Sequence, residues 1–481
     1  MPVDAPPTEA PPTSALDRYF EIGRRGSTIP REIRGGLATF CAMAYILVLN
    51  PIILSAGADK FGQHLDGGQL VTATALVAGL TTLLMGVIGN VPIAMAAGLG
   101  INAVVAFQLA PRMSWADAMG MVVLAGLAIM ILVATGLRER VMNAIPDGLR
   151  KGIAIGIGLF IALIGLVDAG FVTRNPDAAH TTVPVGMGSG GQLAGWPVLV
   201  FVLGLALTLV LVVRRTNGAI LIGIVAMTAL AVAVNSLADI PARSWGLTVP
   251  QLPDSLVAAP DFSLIGHVSL FGGFGEVGVL TGCLFVFTVL LSGFFDAMGT
   301  IVGVSDEAGL LDEEGRLPDM GRVLMVDGVA VALGGAGSAS ANTAYAESTA
   351  GVGEGARTGL ANLVTGGLFL LALVCTPLLT IVPAQAATPA LVVVGFMIMA
   401  SNVRDIDWSD AVIAVPAFLT MVMMPFTYSI TNGIGVGVLS YVLLKAATGR
   451  LREVAWPLNV VGLCFLVYFL LDPIEQALGL K

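Results

Sequence analysis

Apolar residues fall along this chain in repeated runs of about 17–25 positions, each long enough to cross about 30 Å of hydrocarbon. The runs are continuous. They lack the alternation of an outer-membrane barrel strand and read instead as membrane helices. Seven runs, at 35–56, 70–89, 92–110, 115–136, 146–172, 196–213 and 217–237, precede a polar stretch at 238–262. Seven more follow at 275–303, 319–336, 337–354, 357–382, 388–403, 408–427 and 430–447. The pattern predicts an all-α polytopic membrane protein with 14 spans. A last apolar stretch, Val454 to Leu471, contains Trp456 and Pro457 and reads as an interfacial or packed C-terminal helix. Residues 1–16 are Pro-rich without an apolar core, which predicts a disordered tail and not a signal peptide.

Two sets of seven suggest a duplication. Because seven is odd, the second copy crosses the membrane in the opposite sense, as an inverted repeat. Thr216-Asn217-Gly218 opens span seven and Thr431-Asn432-Gly433 opens span fourteen, at matching places in the two halves. The chain then divides into a disordered, basic cytoplasmic N-terminus (1–34), a first repeat (35–237) and a connecting segment (238–274). A second repeat (275–447) and a C-terminal segment (448–481) complete it.

Spans three and ten are odd in the same way. Asn90 to Asn102 and Gly334 to Glu347 are rich in Gly, Ala and Ser where a lipid-facing helix carries Leu and Phe. Both occupy the third position of their half. Paired interruptions of this kind predict broken spans, a short extended segment plus a half-helix, at a transporter's midplane site. Close helix packing by small residues is the simpler reading. It leaves the polar residues of these stretches unexplained.

Composition narrows the class. Hydrophobic residues make up 56% and charged residues 11%, against about 45–50% and about 25% in soluble domains. Mean hydropathy is +0.91. These values exclude a soluble enzyme, a nucleic-acid binder and a disordered chain. His64, His180 and His267 lie in polar stretches, and Cys41, Cys283, Cys375 and Cys464 sit singly without CxxC spacing. Haem, metal and disulfide readings are therefore weak, and no cofactor or metal is expected. No HExxH, GxSxG or paired-His motif points to an enzyme. Net charge is −9, but the placement of Lys and Arg says more. With the N-terminus inside, 18 of them fall in inner segments and four in outer loops, which predicts cytoplasmic termini.

Within the apolar runs, Asp296 stands near the middle of span eight and Glu347 in broken span ten. A carboxyl group at the bilayer centre costs about 2.5–3.5 kcal/mol on insertion scales, so such residues usually serve an ion or substrate path. A structural carboxylate is the alternative for each, and Asp327 in span nine reads as structural. Asn102 can both donate and accept, which suits the edge of a heterocycle, or it caps the half-helix. Phe107, Phe294, Phe295 and Tyr345 are candidates for stacking on a planar ligand, or for plain packing.

These residues carry a resemblance. The opening Ile29 to Pro51, the span-three segment Ala96 to Ala103 and the span-eight segment Phe295 to Thr300 are similar to AzgA-like adenine/guanine/hypoxanthine permeases. So are Ser340 to Val352 in span ten, and Pro416 to Thr420 with Met424 to Ile430. The likeness runs from about residue 20 to 450 with the motifs in order. It places the chain among proteins that resemble the nucleobase–ascorbate and nucleobase–cation symporter superfamily. It implies a core domain of spans 1–4 and 8–11, a gate domain of spans 5–7 and 12–14, and import of purine bases with protons. It implies substrate binding by Asn102, Asp296 and Glu347, and proton coupling by Asp296 and Glu347. Members often have Pro at the position of Ala97 and Thr at that of Ala297, and many carry a second Asp where this chain has Gly293.

The expectation is a multi-pass transporter of the cytoplasmic membrane, in contact with lipid, that imports adenine, guanine or hypoxanthine by alternating access. A homodimer is among its allowed assemblies. The rival reading is an uncoupled nucleobase uniporter or channel, or a carrier of xanthine or uracil, on the same fold.

Overall fold

Helix α1 (Ile29–Met43) opens with Pro30 in its first turn, where a proline's missing N–H has no intrahelical partner to lose. It runs into α2 (Ile46–Ala56), which holds Pro51 inside it. Between them the backbone of Ala44 and Tyr45 stays right-handed but tightens, with Leu47 N donating to Ala44 O at 3.1 Å and Val48 N to Tyr45 O at 3.0 Å. The single first run of the sequence is thus two helices joined by a tight turn. This computed structural model describes residues 14–136, 145–174, 185–188, 191–216, 218–238, 240–246, 248–253, 255–312 and 317–470. Of Arg243, Phe294, Phe295, Asp296 and Gly299 it describes the backbone alone.

The elements that follow are α3 (Gly67–Leu84), β1 (Met95–Ala97), α4 (Leu99–Val104), α5 (Trp115–Ala134) and α6 (Asp147–Asp168). A short hairpin, β2 (Val172–Arg174) and β3 (Val185–Met187), precedes α7 (Trp196–Val213) and α8 (Ala219–Ala238). Next come α9 (Val279–Glu307), α10 (Met320–Ala336), β4 (Asn342–Ala344), α11 (Ser348–Gly353) and α12 (Leu360–Ala372). The chain continues through α13 (Pro389–Asn402), α14 (Ala411–Phe426), α15 (Ile430–Ala447) and α16 (Trp456–Phe469). Among the described residues, nine helical stretches are long and apolar enough to cross a membrane. Three shorter apolar helices accompany them, one being the front of the 29-residue α9. The fold is that of a mostly helical, multi-pass membrane protein.

Lipid offers no hydrophobic drive for one apolar helix to bury against another, so close approach depends on small residues. Helices α5 and α10 pack along their lengths. A Cβ at Gly126 would fall 2.5 Å from the Ala332 backbone nitrogen, so this contact admits only glycine there. Helices α3 and α12 pack in the same manner. Helix α6 lies against α13 and α14, α7 against α8, and α14 against α15. The 14-residue α16 is about 21 Å long at 1.5 Å per residue, too short to cross the hydrocarbon upright. It packs on α15, with Phe465 fully buried and Trp456 exposed. The N-terminal tail at 1–13, the C-terminal 471–481 and Asn217 of the repeated triplet lie outside the described residues.

Candidate functional site

The two small-residue stretches meet. Strands β1 and β4 pair antiparallel, with Met95 opposite Ala344, Ala96 opposite Thr343 and Ala97 opposite Asn342. Gly98 N donates to Ala341 O at 2.9 Å and Tyr345 N to Ala94 O at 3.0 Å, which extends the pairing at both ends. All six strand residues are buried. Extended backbone cut off from water must satisfy its own polar groups, and here each strand serves the other.

Side chains from neighbouring helices finish the task. Thr82 Oγ1 donates to Met95 O at 2.9 Å and accepts from Met95 N at 3.0 Å. Ser348 Oγ accepts from Ala94 N at 3.0 Å, and Asn362 Nδ2 donates to the carbonyls of Val91 and Ile93 at 2.9 and 2.8 Å. Asn342 Nδ2 donates to Thr81 Oγ1 at 3.1 Å. Asp327 accepts from Thr343 Oγ1 at 3.4 Å, a contact that holds β4 to α10. The turn into β4 uses Ser338 and Ser340 at φ of 56° and 64°. Left-handed backbone is uncommon outside glycine, and such strain clusters where a ligand site must be held open.

Asn102 sits one turn into α4. Its backbone N–H donates to Gly98 O at 2.9 Å. Asn102 is 0% exposed, and among the described residues neither Oδ1 nor Nδ2 has a hydrogen-bond partner. It therefore does not cap the half-helix. A buried amide that is idle at both ends is rare in folded proteins, because each lost hydrogen bond costs about 1–3 kcal/mol. Helix α9 runs alongside: among the described residues, a Cβ at Gly293 would meet the Ile101 Cδ1 atom at 3.1 Å and nothing else within 4 Å. Helix α6 closes the other side, with Ile157 Cγ2 only 2.6 Å from where a Gly100 Cβ would stand.

Glu347 stands three residues past the end of β4 and leads into α11, making no capping bond to that helix. Its Oε1 accepts from the Tyr45 hydroxyl. Tyr345 spends its own hydroxyl on the Ala97 carbonyl at 2.6 Å, a clamp across the strand pair, with its ring 6% exposed. Phe107 lies farther along span three, its ring 5.6 Å from that of Tyr428, which in turn meets Phe160 at 5.1 Å. Asp296 and Phe295 lie on α9, three and two residues past Gly293, and their side chains are outside the described residues. The strand pair thus brings the segments bearing Asn102, Tyr345 and Glu347 together, while Phe107 belongs to an aromatic group next to α6 and the α14–α15 turn.

Two contacts escaped the reading of the sequence. One is the Tyr45 bond, although Tyr45 stands in a motif quoted there. The other is Gln108, buried in an apolar run. Its Oε1 accepts from Ser429 Oγ, Thr431 N and Thr431 Oγ1 at 3.2, 3.3 and 3.0 Å, and its Nε2 has no partner among the described residues. Thr431 Oγ1 also lies 3.2 Å from Thr288 Oγ1 on α9. A glutamine amid apolar residues was the available signal.

Comparison with known proteins gives this site a context. The sequence pattern of a permease family, Xan_ur_permease, matches residues 30–436. The chain is 38% identical to the guanine/hypoxanthine permease PbuG of Bacillus subtilis, covering 95% of this chain and 99% of that protein. It is 36% identical to the adenine permease AdeP of Escherichia coli, covering 94% and 95%. In structure it resembles the transmembrane domain of the cyanobacterial bicarbonate transporter BicA, with a TM-score of 0.60 at 15% identity, over 84% of this chain and 97% of that one. It also resembles SLC26A9, with a TM-score of 0.59 at 13% identity, over 91% and 67%.

Proposed function

The chain belongs to this permease family, and on that footing we propose that it imports purine nucleobases together with protons by alternating access. Family membership makes it a transporter and not an enzyme. The purine assignment draws on relatives named for guanine, hypoxanthine and adenine. The single observation that carries the site is Asn102: a fully buried amide whose donor and acceptor are both idle among the described residues, beside the paired strands. A purine edge presents an adjacent donor and acceptor that such an amide can match. Glu347 accepts from ring N–H groups, and Asp296 links protonation to binding. Phe295 and Tyr345 are the aromatic surfaces against which the base stacks, and Phe107, packed with Tyr428, is left to the aromatic group beside α6.

We read the element order as fourteen spans in two inverted repeats of seven. The first is α1–α2, α3, β1–α4, α5, α6, α7 and α8. The second is α9, α10, β4–α11, α12, α13, α14 and α15. The packing supports this reading. The fourth element of the first half packs on the second of the second half, α5 on α10, and the exchanged pair, α3 on α12, packs too. Pairs α7–α8 and α14–α15 correspond in the same way, and β1–β4 and α6–α13 each join like to like. In this reading spans 1–4 and 8–11 form the core and spans 5–7 and 12–14 the gate. Both termini face the cytoplasm, on the strength of the positive-residue bias.

Gly293 favours one rival, an uncoupled carrier, because the position one turn before Asp296 offers no second carboxylate. Uptake of labelled guanine, with adenine, hypoxanthine, xanthine and uracil as competitors, tests the reading. Measured with and without a protonophore, it also tests the coupling. Competition by purines alone and collapse with the proton gradient are expected. Unchanged uptake after the gradient is lost would establish the uncoupled rival.

A further inference from the structure

We propose that Tyr45 is a positioning residue for Glu347, holding one carboxylate oxygen so that the other is presented to the base. The proposal rests on the reading of Glu347 as a base-binding group.

Tyr45 stands in the tight turn between α1 and α2, 1% exposed, 302 residues away in sequence from its partner. Its backbone carbonyl accepts from both Val48 N and Leu49 N at 3.0 Å, so the turn that sets the ring's direction is itself fixed. The ring lies in the large apolar cluster that also holds Ile46, Leu47, Ala94, Ala96, Ala97 and Tyr345. Packing of this kind holds a two-torsion aromatic side chain to one direction. A glutamate has three torsions and, at the end of the half-buried turn after β4, no capping bond to fix them. The hydroxyl supplies what the glutamate lacks, by donating to Oε1.

The choice of a phenol fits the task. Lysine or arginine at this place would neutralise the carboxylate and compete with a neutral base for it. A hydroxyl leaves the charge on the carboxylate and fills only one of its oxygens, which between them accept about four hydrogen bonds. The same hydroxyl can turn and accept if the carboxyl takes up a proton, so the contact survives both charge states. Geometry held before the ligand arrives saves ordering cost on binding. The consequence falls on affinity and leaves the transport step largely alone.

The test compares Tyr45→Phe, Glu347→Gln and the double variant in membranes, reading protein level, KM for guanine and maximal uptake rate. We expect Tyr45→Phe to reach the membrane at parental levels. Its KM should rise by about tenfold, within the roughly 5- to 150-fold range of one lost buried hydrogen bond. Its maximal rate should stay within about threefold of the parent. Adding Tyr45→Phe to Glu347→Gln should cause little further loss, because the two act as one unit. A parental KM in Tyr45→Phe, or losses that simply multiply in the double variant, would overturn the positioning role. A parental KM in Glu347→Gln would instead remove the base-binding reading itself, whatever Tyr45→Phe does. Should Tyr45→Phe fail to reach the membrane, 3-fluorotyrosine at this position keeps the ring and makes the hydroxyl a stronger donor. A shifted KM there supports the role, and an unshifted one overturns it.

Discussion

Gln108 and Thr431 are joined twice: the glutamine Oε1 accepts from the threonine N–H at 3.3 Å and from its hydroxyl at 3.0 Å. The residues are 323 apart in sequence. Gln108 continues the half-helix that carries Asn102, and Thr431 begins α15, so the bridge joins the proposed core to the proposed gate. Thr431→Val keeps the shape, retains the N–H bond and removes the hydroxyl bond. A neutral hydrogen bond is worth about 0.5–1.5 kcal/mol, or roughly 2- to 13-fold in a population. The maximal uptake rate should therefore change by about that factor, with KM within about twofold of the parent. An unchanged rate would place this bridge off the moving interface.

Lys445 and Glu453 form a second testable pair. Lys445 Nζ lies 2.7 Å from Glu453 Oε2, with the lysine side chain 7% exposed and the glutamate half-exposed. Arg450 also donates to the same carboxylate, at 3.0 and 3.1 Å. Arg450, then Lys445, hold the Glu453 carboxyl down to about 2, below its usual value of 4.5. A depressed carboxyl pKa stabilises the fold above the unfolded value and loses that contribution as pH falls through the folded one. The contribution should thus be whole at neutral pH and fade between about pH 4.5 and 2. Glu453→Gln leaves a buried ammonium without its counter-charge. The purified protein should unfold at lower temperature at pH 7, and the gap from the parent should narrow at pH 3. An equal melting temperature at pH 7 would show the pair to be a surface ornament.

How much of this was legible in the sequence depended on local pattern. The Gly, Ala and Ser residues of 90–102 and 334–347 have no place facing lipid, and those stretches hold β1 and β4. The apolar runs marked the helices because about 20 residues of hydrocarbon leave no other choice. The two-helix form of 29–56 was not legible: Ala44 and Tyr45 keep ordinary helical backbone, and no residue type announces the tighter turn. Nor were the Tyr45–Glu347 and Gln108–Thr431 contacts. Partners 302 and 323 residues apart meet through packing that no periodicity encodes. For Asn102 the sequence offered a cap or a ligand group, and the structure shows that among the described residues its side chain makes no capping bond.

The orientation can be checked directly. Arg24, Arg25, Arg150, Lys151, Arg357 and Arg404 fall in segments proposed as cytoplasmic, while Arg138, Arg140 and Arg316 lie outside the described residues. Cys41 and Cys283 are exposed, so the four native cysteines must first be replaced. A single cysteine then introduced at position 10 should resist a membrane-impermeant reagent on intact cells and react in opened ones. Labelling on intact cells would reverse the topology.

Gly293 offers a gain-of-function test. Among the described residues a Cβ there meets only the Cδ1 atom at the end of the Ile101 side chain, which must give by a few tenths of an ångström to admit a side chain. Position 293 lies one turn before Asp296 on the same helical face. Two carboxyl groups at that spacing titrate as a coupled pair. Gly293→Asp should therefore alter the pH profile of uptake or the ranking of competing bases. A variant that matches the parent in both would show that this face of α9 does not line the site.

Asn102→Ala separates a ligand group from a structural one. Most buried asparagines hold structure through their hydrogen bonds, and their loss destabilises the protein by leaving partners unpaired. Among the described residues Asn102 has no partner to strand: Oδ1 and Nδ2 are both idle, and its backbone bond to Gly98 survives the change. What alanine removes is a polar group whose burial already cost free energy, together with a few atoms of packing. These effects oppose one another, so the melting temperature of the purified protein should move by only a few degrees. The base, by contrast, loses one edge of its recognition. Leaving its donor or acceptor unmatched in a buried site costs about 1–3 kcal/mol, or roughly 5- to 150-fold in affinity. The expected outcome is normal expression with a KM for guanine raised by that order. A variant that folds less well but binds as tightly as the parent would make Asn102 a packing residue and move the site elsewhere along the strand pair.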